Sequence, residues 1–282
     1  MYYMGGTYEE TPICNYMDVN SDAKVQGMRM KIGVALSQDG KSWGRVEGDD
    51  HTGACLVPYD REAENCGGIV FDDSGNIINV DEELYVAWPD VMLNTYTQAG
   101  DQISEFLMFY STCLKYSKQK AIGLAVSRDG FRWERRGIVL RPGENEDVNG
   151  CARCTVLKEA MFNENTNTWV NVESNELVMW YEGIDKDGKH RILSATSGNG
   201  GRTWNKQSGH VALDVGQSGD WDDKAVGSPN VLRMEDGTLR MYYSGQDSKG
   251  NTAIGVAKAS MMQDTTHKHR FEREQAQVLF GQ

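Results

Sequence analysis

One hairpin signature recurs four times along this 282-residue chain. Its first strand is aromatic and ends in a small-residue turn: Met1–Gly5, Phe106–Ser111, Leu177–Gly183 and Leu239–Gly245. A second strand follows in each copy, with small residues alternating with branched ones: Ile32–Ser37, Ile122–Ser127, Ile192–Ser197 and Ile254–Ala259. Such patterns suit strands packed between neighbours. Three of these second strands close on a related turn: Ser37-Gln38-Asp39-Gly40, Ser127-Arg128-Asp129-Gly130 and Ser197-Gly198-Asn199-Gly200-Gly201. Glycine supplies a positive φ there, and the Asp or Asn side chain bonds local N–H groups. A tryptophan then opens a short outer strand (Trp43, Trp133, Trp204) and can cover the gap to the next unit. In the fourth copy Phe271-Glu272-Arg273 stands where Trp133-Glu134-Arg135 stood in the second.

A buried strand is predicted before the hairpin in three copies, at Gly67–Phe71, Thr155–Leu157 and Ser228–Leu232. The unit is then an inner strand A, an aromatic strand B, a small-residue strand C and an outer strand D. Four-stranded antiparallel units repeated in one order are the blades of a β-propeller. A sandwich has no reason to repeat the A-B-C-D order. The landmarks Trp43, Trp133, Trp204 and Phe271 are 90, 71 and 67 residues apart, and the longer step predicts an insertion loop near residues 89–102. The expected organisation is one all-β domain. It comprises an incomplete first blade (1–58), a blade with the insertion (59–142), and blades at 143–216 and 217–282. The first copy starts at strand B, so its inner strand would come from another segment or from residues preceding Met1.

The charge balance narrows the partners. Lys and Arg number 29 against 41 Asp and Glu, a net charge of −12. Nucleic acid and anionic membrane surfaces call for clustered basic residues, so neither is expected. No run approaches the ~18 apolar residues of a membrane-spanning helix. No basic, apolar and small-residue succession opens the chain. Six cysteines are few for a disulfide scaffold, and reduced structural thiols are expected. Cys151-Ala152-Arg153-Cys154 has no second cysteine pair to complete a zinc site and no βαβ setting for redox work. No metal or cofactor is expected, and no nucleotide-binding glycine motif occurs.

The order of strand C, Ser-x-Asp-Gly turn, Trp-Glu-Arg and a new inner strand resembles the five-bladed propellers of arabinanase, levansucrase and invertase type, glycoside hydrolase families 43, 32, 68 and 130. Ser197–Trp204 also resembles the Asp-box of sialidase propellers, a structural turn with no catalytic duty. The resemblance implies a five-bladed fold and a carbohydrate ligand. It also implies glycosidic-bond chemistry by acidic residues from the inner strands. Such chemistry needs one protonated carboxyl group to assist the leaving group and one ionised carboxylate. The Glu-x-Pro and Arg-Asp-Pro signatures of invertase-like members do not occur in the corresponding places.

The starts of the inner strands supply the candidates. Glu64, Asp147, Asp222 and Asp223 are the expected catalytic carboxylates. Trp221, set among acids, offers a face for a sugar ring, and Ser228 follows it at the start of an inner strand. Arg153 either binds a ligand hydroxyl or carboxylate or pairs with Asp147. Glu182 breaks the repeat by placing an acid at the end of strand B. The activity expected is that of a glycoside hydrolase or phosphorylase relative. The alternative is a propeller without turnover that binds glycans or docks a protein, because fold alone does not fix function.

Overall fold

The computed structural model describes residues 1–14, 20–60, 81–163, 165–166, 168–171, 175–260 and 269–274. Among these there is no helix. The chain forms two compact units, Met1–Thr95 with Ile103–Arg141 and Tyr96–Gln102 with Pro142–Gln282.

The first unit carries β1 (Tyr2–Thr7), β2 (Thr11–Pro12), β3 (Lys24–Val25), β4 (Arg29–Leu36), β5 (Gly44–Val46), most of β6 (Glu83–Gln98) and of β7 (Asp101–Leu114), β8 (Lys120–Ser127) and β9 (Glu134–Leu140). Strands β1, β4 and β5 form one sheet in that order, β6, β7, β8 and β9 run side by side, and β2 pairs with β3. The second unit carries β10 (Gly150–Lys158), β11 (Ala160–Asn163), β12 (Thr168–Asn171), β13 (Leu177–Ile184), β14 (His190–Ser197), β15 (Asn205–Leu213), β16 (Ala225–Arg233), β17 (Thr238–Gln246), β18 (Thr252–Ser260) and β19 (Glu272–Arg273). Here β10-β13-β14-β15 and β16-β17-β18-β19 are two complete A-B-C-D meanders, and β11 pairs with β12. All four predicted B–C hairpins form antiparallel pairs.

Their register explains the small residues of strand C. Tyr3 faces Gly33, Tyr110 faces Gly123 and Tyr243 faces Gly255. A Cβ on these glycines would stand 2.6, 2.4 and 2.6 Å from the tyrosine Cζ, so each ring lies flat over a bare backbone. An aromatic covering a strand glycine restores the packing that the missing side chain forfeits. The Ser-x-Asp-Gly turns form as read. Asp39 Oδ1 accepts from the N–H groups of Lys41 and Ser42, both at 2.8 Å, and Ser37 Oγ accepts from Gly40 N–H at 2.8 Å. Trp133 packs edge-on against Tyr2 with ring centroids 5.6 Å apart, joining a D strand to the neighbouring B strand.

Two expectations about the second blade change. Gly67–Phe71 and Cys66 lie outside the described residues. The strand beside β7 is instead β6, which starts at Glu83. The stretch expected as an insertion loop is a long hairpin, in which β6 and β7 continue to Gln98 and from Asp101. Ala99 (φ +53) and Gly100 (φ +93) make its two-residue turn, a geometry whose twist suits flanking strands. Val91, Thr95 and Tyr96 are β-formers suited to a strand; Pro89 and the gap in the repeat masked it.

Each complete blade is closed by the same buried lock. A carboxylate at the start of strand A, the strand-B tyrosine and a cation on strand D converge. Asp147 Oδ2 accepts from Tyr181 Oη at 2.9 Å and from Lys206 Nζ. Asp222 Oδ2 accepts from Tyr243 Oη at 2.9 Å and Arg273 Nε at 2.8 Å. In the first unit Glu83 pairs with Arg135 at 3.3 Å, with Tyr110 within electrostatic reach of both. A buried charge costs several kcal/mol unless it is paired and hydrogen-bonded. In the last blade this anchor adds to a ladder in which β19 pairs with β18 through two described residues. Burial and the neighbouring carboxylate hold the tyrosine hydroxyls of Tyr181 and Tyr243 protonated, above their usual range; for Tyr181 the buried Cys151 thiol adds to the shift.

The apolar cores follow the blades. Val178, Trp180, Ile192, Val226, Leu239, Met241 and Phe271 pack together in the second unit. Ile32, Leu56, Val86, Met108, Tyr110 and Ala125 do so in the first.

Contrary to the expectation of reduced thiols, Cys14 and Cys113 form a disulfide across 99 residues of sequence. Nothing in their spacing advertises the pair, because the bond joins the segment after β2 to the end of β7. Cys151 and Cys154 are both buried, and neither is in a disulfide.

Three outcomes test this description. Replacing Cys14 and Cys113 by Ser should lower unfolding stability by about 2–4 kcal/mol, the usual loss for a long closed loop, and peptide mapping without reductant should recover the linked pair. Tyr243→Phe should cost about 1–3 kcal/mol in urea melts by removing a partner of a buried carboxylate, with unchanged far-UV circular dichroism. The Asp39 carboxyl is held down at about 2 by the Ser42 and Lys41 amides and the Ser37 hydroxyl, from an ordinary 3.8. Its contribution is therefore present above pH 3.8 and lost as pH falls toward 2. Asp39→Asn should flatten the acid limb of a pH–stability curve in that window.

Candidate functional site

Strands β10 and β16 are strained at matching places. Arg153 has φ +42 and Ser228 has φ +49, and both ladders slip there, between Ala152 and Cys154 and between Gly227 and Asn230. Trp88 in β6 repeats the feature with φ +49. A non-glycine residue in this region costs on the order of 1–3 kcal/mol, so the surrounding ladder must impose it. Bulges re-aim side chains, and such strain concentrates where a side chain has a duty.

Both bulges point at Glu182. Its side chain is 2% exposed and sits at the end of strand B, β13. Oε2 accepts from Arg153 Nη1 at 3.2 Å and from the Ser228 N–H at 3.1 Å, while Oε1 lies 2.7 Å from His190 Nδ1. Gly227 is required beside it, because a Cβ there would fall 2.1 Å from Glu182 Oε2. Arg153 and His190 keep about a third of their side-chain surface open. A buried carboxylate thus holds two partly exposed polar groups in fixed orientation. With Nδ1 donating to Glu182, the outer imidazole nitrogen Nε2 is left as an acceptor.

Of the residues singled out in the sequence, Arg153, Glu182 and Ser228 come together. Arg153 pairs with Glu182, not with Asp147. His190 was missed, although a signal existed. Glu182 faces Ile192 in the β13–β14 ladder, so His190, two residues earlier on β14, lies diagonally across on the same face.

The other candidates lie elsewhere. Asp147, 3% exposed, sits in its lock, with Oδ1 accepting from Gly143 N–H at 2.9 Å and Cys151 Sγ 3.2 Å from Oδ2. A cavity of about 60 Å³ adjoins it, room for water rather than a sugar ring. Burial, foremost, pushes the Cys151 thiol well up, and the Asp147 charge adds to this. Asp222 is fully buried in its lock, and its Oδ1 has no hydrogen-bond partner among the described residues. Asp223 ties down turns, accepting from Gly219 N–H and from the N–H and hydroxyl of Ser248, all at 2.8 Å. Trp221 stacks on Tyr243 at 5.6 Å between centroids, its ring against Gly245 and Gly255. Glu64 lies outside the described residues. Among the described residues no group of three or more His, Cys, Asp or Glu is arranged to hold a metal ion.

Solved structures of carbohydrate-active proteins share this fold. The β-1,2-mannobiose phosphorylase from Listeria innocua matches over 91% of this chain and 56% of its own, with 15% identity and a TM-score of 0.56. An endo-1,4-β-xylanase from Bacteroides thetaiotaomicron matches over 99% of this chain and 70% of its own, at 13% identity and a TM-score of 0.51. At these identities the likeness is one of fold. The chain spans 31% of the fructan 1-exohydrolase IIa from Cichorium intybus, which is 17% identical over 66% of this chain with a TM-score of 0.45. It therefore corresponds to about half of the phosphorylase and a third of the exohydrolase. No curated protein sequence matches the chain. The fold class is the all-β propeller of four-stranded antiparallel blades read from the repeat. The model of the glycosyl hydrolases family 32 N-terminal domain matches residues 101–280, and the chain belongs to that family.

Proposed function

We propose that the chain is a carbohydrate-active propeller that engages a glycan at the Glu182 cluster and acts on glycosidic bonds. The observation that carries this reading is the convergence of Arg153, His190 and the Ser228 amide on one buried carboxylate at two strained inner strands. Membership of a glycosyl hydrolase family supports it.

The chemistry follows from the geometry. The open face of Arg153 offers N–H donors to ring hydroxyls. His190 Nε2, backed by Glu182, takes a proton from a hydroxyl or from water, and Glu182 stabilises the imidazolium that results. Asp222 stays in its lock, fully buried. Asp147 and Asp223 serve their local hydrogen bonds. The Trp221 face is taken up by Tyr243, which leaves sugar contact to Arg153, His190 and Ser228.

A second reading, glycan binding without turnover, is favoured by one specific observation. Asp147 and Asp222 are each buried and held by a tyrosine and a cation, so neither carboxylate is presented to a leaving group.

The experiment is a panel of α- and β-linked oligosaccharides, read by calorimetric binding and by release of reducing ends or of sugar phosphate. Wild type should bind one linkage class and cleave it. Glu182→Gln should lower turnover at least 100-fold, with a melting temperature close to wild type. Binding that Glu182→Gln abolishes, with no cleavage of any glycan by wild type, would select the binding module. Wild-type indifference to every glycan contradicts both.

A further inference from the structure

The first unit holds a cavity of about 450 Å³, within the range of small-molecule sites. Residues 10–12 and 29–31, the start of β6 and the turn between β7 and β8 contribute to its lining. Four cations reach it: Arg29, Lys31, Lys115 and Lys118. Three have counter-charges. Arg29 pairs with Glu9, Lys31 with Asp50 at 2.9 Å, and Lys115 with Glu82 at 2.7 Å and Asp60 at 3.4 Å.

Lys118 differs. The residue is 9% exposed, and its ammonium makes no ion pair or hydrogen bond among the described residues. Its backbone is fixed at φ +55, with its N–H donating to the Leu114 carbonyl at 3.0 Å. The disulfide reinforces this wall, because Cys14 Sγ lies 3.1 Å from the Lys118 carbonyl oxygen while Cys113 belongs to β7. Burial, and then the charge of Lys115, pushes the Lys118 ammonium below the usual lysine range. A largely buried lysine without a counter-charge is a point charge that an entering anion can pair with. Four acids also line the cavity, of which Glu10 is exposed to solvent. Asp50 and Asp60 are bound to Lys31 and Lys115, and Glu83 to Arg135.

We propose that this cavity is an oxyanion site in which Lys118 receives a phosphate or the carboxylate of an acidic sugar. Both ligands share the chemistry a lysine point charge recognises. The site belongs to the first unit and stands independently of the reading for Glu182, which belongs to the second.

The test uses the full chain with sodium phosphate, sodium glucuronate, glucose, and sodium chloride at matched ionic strength, followed by calorimetry and thermal melts. Wild type should bind phosphate or glucuronate saturably, with a rise in melting temperature that chloride does not reproduce. Lys118→Met should weaken that binding at least tenfold, and Lys118→Arg should retain most of it. Phosphate binding alone assigns a phosphate or phosphate ester, and glucuronate binding above glucose assigns an acidic sugar. Should Lys118→Met fail to fold, reductive ¹³C-methylation of the folded protein provides the second readout. The dimethyl-lysine signal absent from Lys118→Arg should then shift saturably with the anion. No saturable effect beyond chloride, equal binding in Lys118→Met, or an unmoved Lys118 signal would overturn the proposal.

Discussion

A carboxylate buried against a tyrosine and a cation is the interaction on which each complete blade depends. Strand D is the outer strand of each blade, and in the last blade β19 pairs with β18 through two described residues. The charge of Asp147, Asp222 or Glu83 cannot be buried without compensation, and the compensating cation is carried by strand D. The tyrosine that completes the first two locks belongs to strand B, and Tyr110 and Tyr243 also cover the glycine of strand C. In the last blade one cluster, Asp222, Tyr243 and Arg273 with Gly255 under the ring, thereby joins all four strands.

Backbone strain sits at Arg153 and Ser228. Regular strands would alternate their side chains across the sheet and could not bring a guanidinium and a backbone amide onto the same carboxylate oxygen. The bulges do so, and Gly227 leaves the room Glu182 needs. His190 arrives from the neighbouring ladder without any irregularity. The site is therefore built from two distortions and one diagonal pair, all on regular strands rather than on long loops.

Much of the fold was legible because the B–C hairpin repeats its chemistry. Tyrosine opposite glycine and Ser-x-Asp-Gly at the turn are local devices, and local devices leave local patterns. The Trp-Glu-Arg motif was legible as a repeat, but its purpose was not. Arg135 and Arg273 are half of a lock whose other half lies 52 and 51 residues away in sequence. Asp147 and Asp222 stand where sugar-facing acids were expected, yet each meets a tyrosine and a cation. Glu182 drew notice by breaking the repeat, and Arg153 by following small residues. His190 could be found only through the β13–β14 register, and the Cys14–Cys113 bond carried no motif. Lys118 left no trace either, since burial without a partner is a property of three dimensions alone.

The account stands on Glu182 as the organiser of a glycan site, and a crystal structure of the chain soaked with the oligosaccharide it binds tests this most directly. The account predicts sugar hydroxyls within hydrogen-bond distance of the Arg153 guanidinium and the His190 Nε2, with the Glu182 contacts kept. Sugar bound at another surface of the second unit, with Arg153 and His190 left to solvent, would contradict it.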